Sequence, residues 1–137
     1  MGLDTFCGHS GARDEHDGIA HFDSMFKGDG FANISHYLKD LPNLRLIEGD
    51  VTLTLESALA DIDSIRFAHV DMDIYGPTAY ALPMLANLLV QGGIMLLDDY
   101  GFLTCPGAKK ATDEFLAGRT DFIKFHHLTG QCVLIKI

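Results

Sequence analysis

Four aspartates stand at the ends of two apolar segments. In HVDMDIYGPT (69–78), Asp71 and Asp73 close the run SIRFAHV; in GGIMLLDDYG (92–101), Asp98 and Asp99 close the run IMLL. If the two runs are neighbouring strands, these carboxylates meet at one sheet edge and repel one another in a partly desolvated place. Either some of them protonate or a cation sits between them, and a hard divalent ion such as Mg²⁺ takes oxygen ligands of this kind. A single Asp in such a place is more often a helix cap or a turn residue. Capping needs one carboxylate per turn, however, so a D-x-D and a D-D at matching strand ends favour a functional cluster.

The elements that must position these residues follow from periodicity and punctuation. GLDTF opens the chain as the end of a strand, and residues 7–30 are polar and Gly-rich without a period. Loops beyond about 12–15 residues are usually functional or mobile, so this one reads as exposed or substrate-covering. FANISHYLKDL (31–41) has helical spacing and stops at Pro42; LRLIEGD (44–50) reads as a strand and Gly turn; TLESALADI (54–62) reads as a short helix capped by Thr54. The runs 64–73 and 92–99 read as strands buried on both faces. Between them, residues 78–90 read as a helix kinked by Pro83 or starting near it. PGAKKATDEFLAG (106–118) has Pro at the start and Gly at the end of a helix, and the tail reads as a hairpin turning at Thr129–Gly130. Alternating strands and helices imply an α/β fold, one domain over residues 1–137, with a mostly parallel sheet and an antiparallel C-terminal hairpin. Ligands of such sheets bind beyond the carboxyl ends of the strands, where all four aspartates fall.

Composition narrows the function classes. Apolar residues make up 47% of the chain, enough for a core, and the net charge of -9 argues against nucleic acid or an anionic membrane as partner. Cys7, Cys105 and Cys132 are odd in number and irregular in spacing, which fits reduced thiols in a cytoplasmic protein. There is no basic-then-apolar leader at the N-terminus and no apolar run of membrane-spanning length. Cys7, His9, His16 and His21 match no common zinc spacing. His69 suits either an acceptor contact or a core position. His126 and His127 should divide between core and solvent, and Phe22, Phe26 and Phe31 read as loop packing.

The motifs LDTFCG, HVDMDIYGPT, GGIMLLDDYG and CPGAKKATDEF occur in the order of, and resemble, successive motifs of the macrocin O-methyltransferase (TylF) family. The resemblance covers essentially the whole chain and departs most in residues 7–30. It implies a Rossmann-like class I methyltransferase sheet and an O-methyltransferase that uses S-adenosylmethionine and Mg²⁺. The acceptor it implies is a small-molecule hydroxyl, such as that of a sugar or a glycosylated natural product. By the same resemblance Asp71, Asp98 and Asp99 match the metal-binding positions, and Asp71 is the candidate general base. Asp4 matches the acidic position that accepts bonds from the cofactor ribose, Glu48, Gly49 and Asp50 match the turn beside the adenine, and Asp73 and Tyr75 lie behind the metal or toward the substrate.

The family's first strand and Gly-rich turn have no counterpart: CGHSG and KGDG neither follow a strand nor open a helix. The chain therefore reads as a partial methyltransferase domain, truncated before the family's second strand. The second and fourth family strands then pair directly, or an oligomer supplies the contact, or residues 1–30 lack order. Two alternatives stay open: a non-catalytic remnant of the fold, and another Mg²⁺-binding α/β domain such as a phosphoryl-transfer or receiver protein.

Overall fold

The computed structural model describes residues 1–9, 14–18 and 27–137, in two compact units, one of residues 1–12 and 22–60 and the other of residues 13–21 and 61–137. In the first unit, β1 (Gly2–Asp4) and β2 (Leu46–Glu48) form a two-stranded parallel sheet with Asp4 opposite Glu48. Helix α1 (Phe31–Tyr37) starts after Gly30, whose φ of 79° suits glycine. Its Phe31 ring packs edge-on against Phe6, with centroids 5.2 Å apart. Helix α2 (Val51–Leu59) begins earlier than its sequence implied. Asp50, not Thr54, is its N-cap: Asp50 Oδ1 accepts from the Thr52 backbone N–H at 2.8 Å and from Thr52 Oγ1 at 2.7 Å. Val51, Leu55, Ala58 and Leu59 are its buried stripe.

The second unit is a four-stranded sheet in the order β3–β4–β6–β5. Strands β3 (Ile65–Val70) and β4 (Leu89–Leu97) are parallel; β6 (Cys132–Lys136) is antiparallel to both β4 and β5 (Phe122–His126), giving the hairpin the sequence implied. Helix α3 (Tyr75–Leu88) starts three residues sooner than the composition suggested. Gly76 and Pro77 look like a turn, but a proline in a first turn removes only a donor that has no helical partner. Pro83 then lies well inside the helix, on an exposed face, where its ring nitrogen cannot donate to the Ala79 carbonyl. Helix α4 (Pro106–Leu116) follows the expected punctuation, with Pro106 in its first position. Ala81, Leu82, Met95, Leu97, Cys132 and Leu134 form the core of this unit.

Among the described residues β1 pairs with β2, and β3 pairs with β4. The outer edge of β3 has no strand partner among them.

Candidate functional site

The register of β3 and β4 brings the aspartates together. Val70 is opposite Leu97, and the Asp98 N–H donates to the Val70 carbonyl at 2.9 Å, so Asp71 and Asp98 leave the sheet side by side. Carboxyl oxygens of Asp71, Asp98 and Asp99 all lie within 4.8 Å of one another. Asp71 is exposed, Asp98 is intermediate and Asp99 is 5% exposed.

Each carboxylate is held differently. Asp99 Oδ2 accepts the backbone N–H groups of Met72 (3.0 Å) and Asp73 (2.8 Å), which fixes the turn between β3 and α3 on the buried side of the cluster. Asp98 Oδ1 accepts from Gln131 Nε2 at 2.9 Å and lies 3.6 Å from His69 Nε2. No hydrogen-bond donor to Asp71 occurs among the described residues. Partial burial, then the charges of Asp99, Asp98 and Asp73, push the Asp71 carboxyl up to about 6, with His69 pulling weakly the other way. Because Asp71 as a whole residue is exposed, solvent screens part of this effect.

Oxygen donors, mutual repulsion and an open side suit a hard divalent cation. A second group, Asp73, Asp99 and Cys105, shares Asp99. There the thiol is protonated: burial is the main cause that pushes it up to about 12, and its Sγ lies 3.6 Å from Asp73 Oδ1. Asp73 has a φ of 60°, a conformation Asp tolerates better than most residues. Cys105 is therefore packing and a weak donor.

Several residues frame the cluster. Tyr75 Oη donates to Glu114 on α4 at 2.7 Å, and its backbone N–H donates to Asp17 Oδ1 at 2.7 Å, so Asp17 caps α3 from a distant loop. Tyr100 is 5% exposed; its hydroxyl bonds Asp113 at 2.7 Å and accepts from Lys124 at 2.9 Å. His69 is half exposed beside Asp98 and is not a core residue. His126 and His127 are both exposed, against the expected division, although the His126 ring stands edge-on to Tyr100. Gln131 and Asp17 were not singled out in the sequence; each acts on a partner far along the chain, and no local pattern marks them.

In the first unit Asp4, Glu48, Gly49 and Asp50 gather at the carboxyl ends of β1 and β2. Asp4 and Glu48 are opposed in register and exposed, and the Gly49 N–H donates to the Asp4 carbonyl at 2.9 Å. Gly49 has a φ of 146°, and a Cβ there would lie 2.6 Å from Thr54 Cγ2, so glycine is required. Asp50 is engaged as a cap, and Asp4 Oδ1 accepts from the Phe6 N–H at 2.6 Å. Cys7, His9 and His16 join no metal-holding group among the described residues; His21, Phe22 and Phe26 lie outside them.

Comparison with known proteins fits this geometry. The family model described as macrocin-O-methyltransferase (TylF) matches residues 13–134. Among solved structures, the O-methyltransferase NovP aligns over 98% of this chain and 58% of its own at 21% identity, with a TM-score of 0.75. The calicheamicin methyltransferase CalS11 aligns over 97% of this chain and 58% of its own at 23% identity and a TM-score of 0.70. An apo structure of CalS11, described as a TDP-rhamnose 3′-O-methyltransferase, aligns at 29% identity over 66% of this chain and 40% of its own, with a TM-score of 0.57. The S-adenosylhomocysteine-bound Podospora anserina methyltransferase PaMTH1 aligns over 77% of this chain and 54% of its own at 19% identity and a TM-score of 0.54. The chain thus spans less than two thirds of these proteins, and no curated protein matches it. Among the described residues no helix is long and apolar enough to cross a membrane. With the match extending over most of its length, the chain belongs to the macrocin O-methyltransferase (TylF) family.

Proposed function

We propose that the protein is a divalent-metal-assisted, S-adenosylmethionine-dependent O-methyltransferase acting on a hydroxyl of a small molecule, a sugar or glycosylated natural product. The observation that carries the reading is the set of three carboxylates, Asp71, Asp98 and Asp99, with oxygens within 4.8 Å at the carboxyl ends of parallel strands. These residues would hold Mg²⁺. The exposed pair Asp4 and Glu48 is an acceptor set suited to a vicinal diol; it would hold the cofactor ribose, and the Gly49–Asp50 turn would lie toward the adenine. When bound, S-adenosylmethionine supplies an electrophilic methyl group on a sulfonium, and Mg²⁺ supplies Lewis acidity that lowers the pKa of the acceptor hydroxyl.

The protein's own part is to orient the hydroxyl in line with that methyl and to take its proton. Asp71, an exposed carboxylate with no hydrogen-bond donor among the described residues, would take that proton as general base. With the cofactor bound, its methyl group would pass to the acceptor oxygen and leave the thioether behind, and Asp71 would accept the hydroxyl proton. CalS11, described as acting on a TDP-sugar, makes a nucleotide-linked deoxysugar the acceptor class to try first.

The alternative reading is a non-catalytic remnant of the fold. Calorimetric titration of the purified chain with S-adenosylhomocysteine, with and without Mg²⁺, separates the two. The enzyme reading expects S-adenosylhomocysteine binding and methyl transfer to a TDP-sugar that EDTA abolishes. No detectable binding of S-adenosylhomocysteine under either condition leaves the remnant.

A further inference from the structure

The turn of the β5–β6 hairpin is built against the turn that carries Asp98 and Asp99. The Gly101 N–H donates to the Gly130 carbonyl at 2.6 Å, and a Cβ on Gly101 would lie 2.8 Å from Gly130 Cα, so the two backbones approach as only glycine allows. Within the hairpin, the His127 N–H donates to the Gln131 carbonyl at 2.8 Å and the Gly130 N–H to the His127 carbonyl at 3.0 Å, which sets the place of Gln131. The orientation of its amide follows from Asp98, whose carboxylate can only accept: Nε2 is turned to Asp98 Oδ1 at 2.9 Å, and Oε1 lies 3.0 Å from Thr129 Oγ1, a hydroxyl that also lies 3.0 Å from His127 Nδ1.

We propose that Gln131 is a positioning residue that aims the Asp98 carboxylate at a divalent cation, with Thr129 supporting it from the Oε1 side; this rests on reading Asp71, Asp98 and Asp99 as the cation-holding set. The chemistry of the donor argues for it. Both neighbours of Asp98, Gln131 Nε2 and His69 Nε2, lie on Oδ1, which sets the plane of the carboxylate, and among the described residues nothing donates to Oδ2. A lysine in place of Gln131 would bind Asp98 more tightly but would neutralise the charge that a cation needs. An amide orients the carboxylate and leaves its charge intact. Asp99 receives the same treatment from two backbone N–H groups, again without a positive charge.

The test is a Mn²⁺ titration of the full chain, read as loss of the free-ion electron paramagnetic resonance signal, on the wild type, Gln131→Leu and Thr129→Val. Thr129 is exposed, so its replacement leaves the core untouched. Gln131→Leu is expected to weaken Mn²⁺ binding by about 10-fold or more, the usual size of a lost partner behind a metal ligand. Thr129→Val should weaken it in the same direction and to a smaller extent, with an unchanged thermal midpoint; this second variant keeps the test decisive if Gln131→Leu folds poorly. Wild-type Mn²⁺ affinity in either folded variant overturns the role of Gln131 while leaving the metal reading standing. A wild-type chain that takes up no Mn²⁺ overturns both.

Discussion

Asp99 does two jobs that one pair of substitutions can separate. Replacing it with alanine leaves the N–H groups of Met72 and Asp73 without their acceptor at a position 5% exposed. Hydrogen bonds to a charged group are worth about 1.5–3 kcal/mol each, so the gross loss is roughly 3–6 kcal/mol. Part is returned, because removing Asp99 relieves its repulsion of Asp71. The whole upward shift of Asp71, from 3.8 to about 6, corresponds to at most about 3 kcal/mol. Burial is its largest cause and Asp71 is exposed, so the share from Asp99 is about 1 kcal/mol or less after screening. Asp99→Ala should therefore lower the unfolding free energy by about 2–5 kcal/mol. Asp99→Asn can turn its amide oxygen to the same two donors and should cost about 1 kcal/mol, while still removing a charge from the carboxylate cluster. The assay is urea denaturation followed by far-ultraviolet circular dichroism, with Mn²⁺ uptake measured on the folded protein. An Asp99→Ala variant within 1 kcal/mol of wild type would refute the assignment of Asp99 as the acceptor that builds this turn.

Two further perturbations have signed outcomes. Asp71 has its folded pKa raised from 3.8 to about 6, so between these values the folded state holds more protons than the unfolded one, and stability falls as pH rises through that window. Without divalent ions, the wild type should lose about 1 kcal/mol more than Asp71→Asn between pH 4 and 7, the screened part of the roughly 3 kcal/mol limit; equal pH slopes for the two proteins would count against the carboxylate cluster. Asp50→Ala should cost about 1 kcal/mol through the lost cap of α2, and Asp50→Ser should restore most of it in the same denaturation assay. If Asp50→Ala unfolds at the wild-type midpoint, the capping role assigned to Asp50 is wrong.

The strands that carry the aspartates were legible because an apolar run ending in acid is a local pattern. The IMLL run is buried at Met95 and Leu97, but β3 is not buried on both faces as expected: only Val70 is buried and Phe67 is 59% exposed. Element starts were less legible, for a local reason in each case. The residues Val51, Thr52 and Leu53 look like strand, which hides the first turn of α2; the carboxylate of Asp50 captures Thr52 and the helix begins there. The pair Gly76–Pro77 looks like a turn, yet α3 runs through it because the first turn has no use for the proline N–H. The supports of the site were illegible because they act across the chain. Gln131 reaches Asp98 over 33 positions and Asp17 reaches Tyr75 over 58, and neither residue type announces such a partner. The two histidines of the hairpin were assigned to opposite environments by strand alternation, but β5 is mostly exposed on both faces, so alternation does not translate into burial there.

How the aspartates are satisfied also bears on why they are there. A structural cluster of acids is normally quieted by cations, and this protein has lysines within the same unit to do it. Lys109 and Lys124 instead pair with Asp113 and bond Tyr100, and Lys110 pairs with Glu114, on and around α4. Among the described residues no Lys or Arg makes an ion pair with Asp71, Asp98 or Asp99. The donors to Asp99 are backbone N–H groups and the donor to Asp98 is a glutamine amide, with the His69 ring 3.6 Å from Asp98. Such donors set the direction of the carboxylates and leave most of the negative charge unspent, at a cost registered in the raised pKa of Asp71. A turn that needed only capping would not keep that cost, since one carboxylate would suffice. Oriented and unneutralised oxygen ligands are what a divalent cation requires, and this arrangement favours a cation-holding site over a purely structural one.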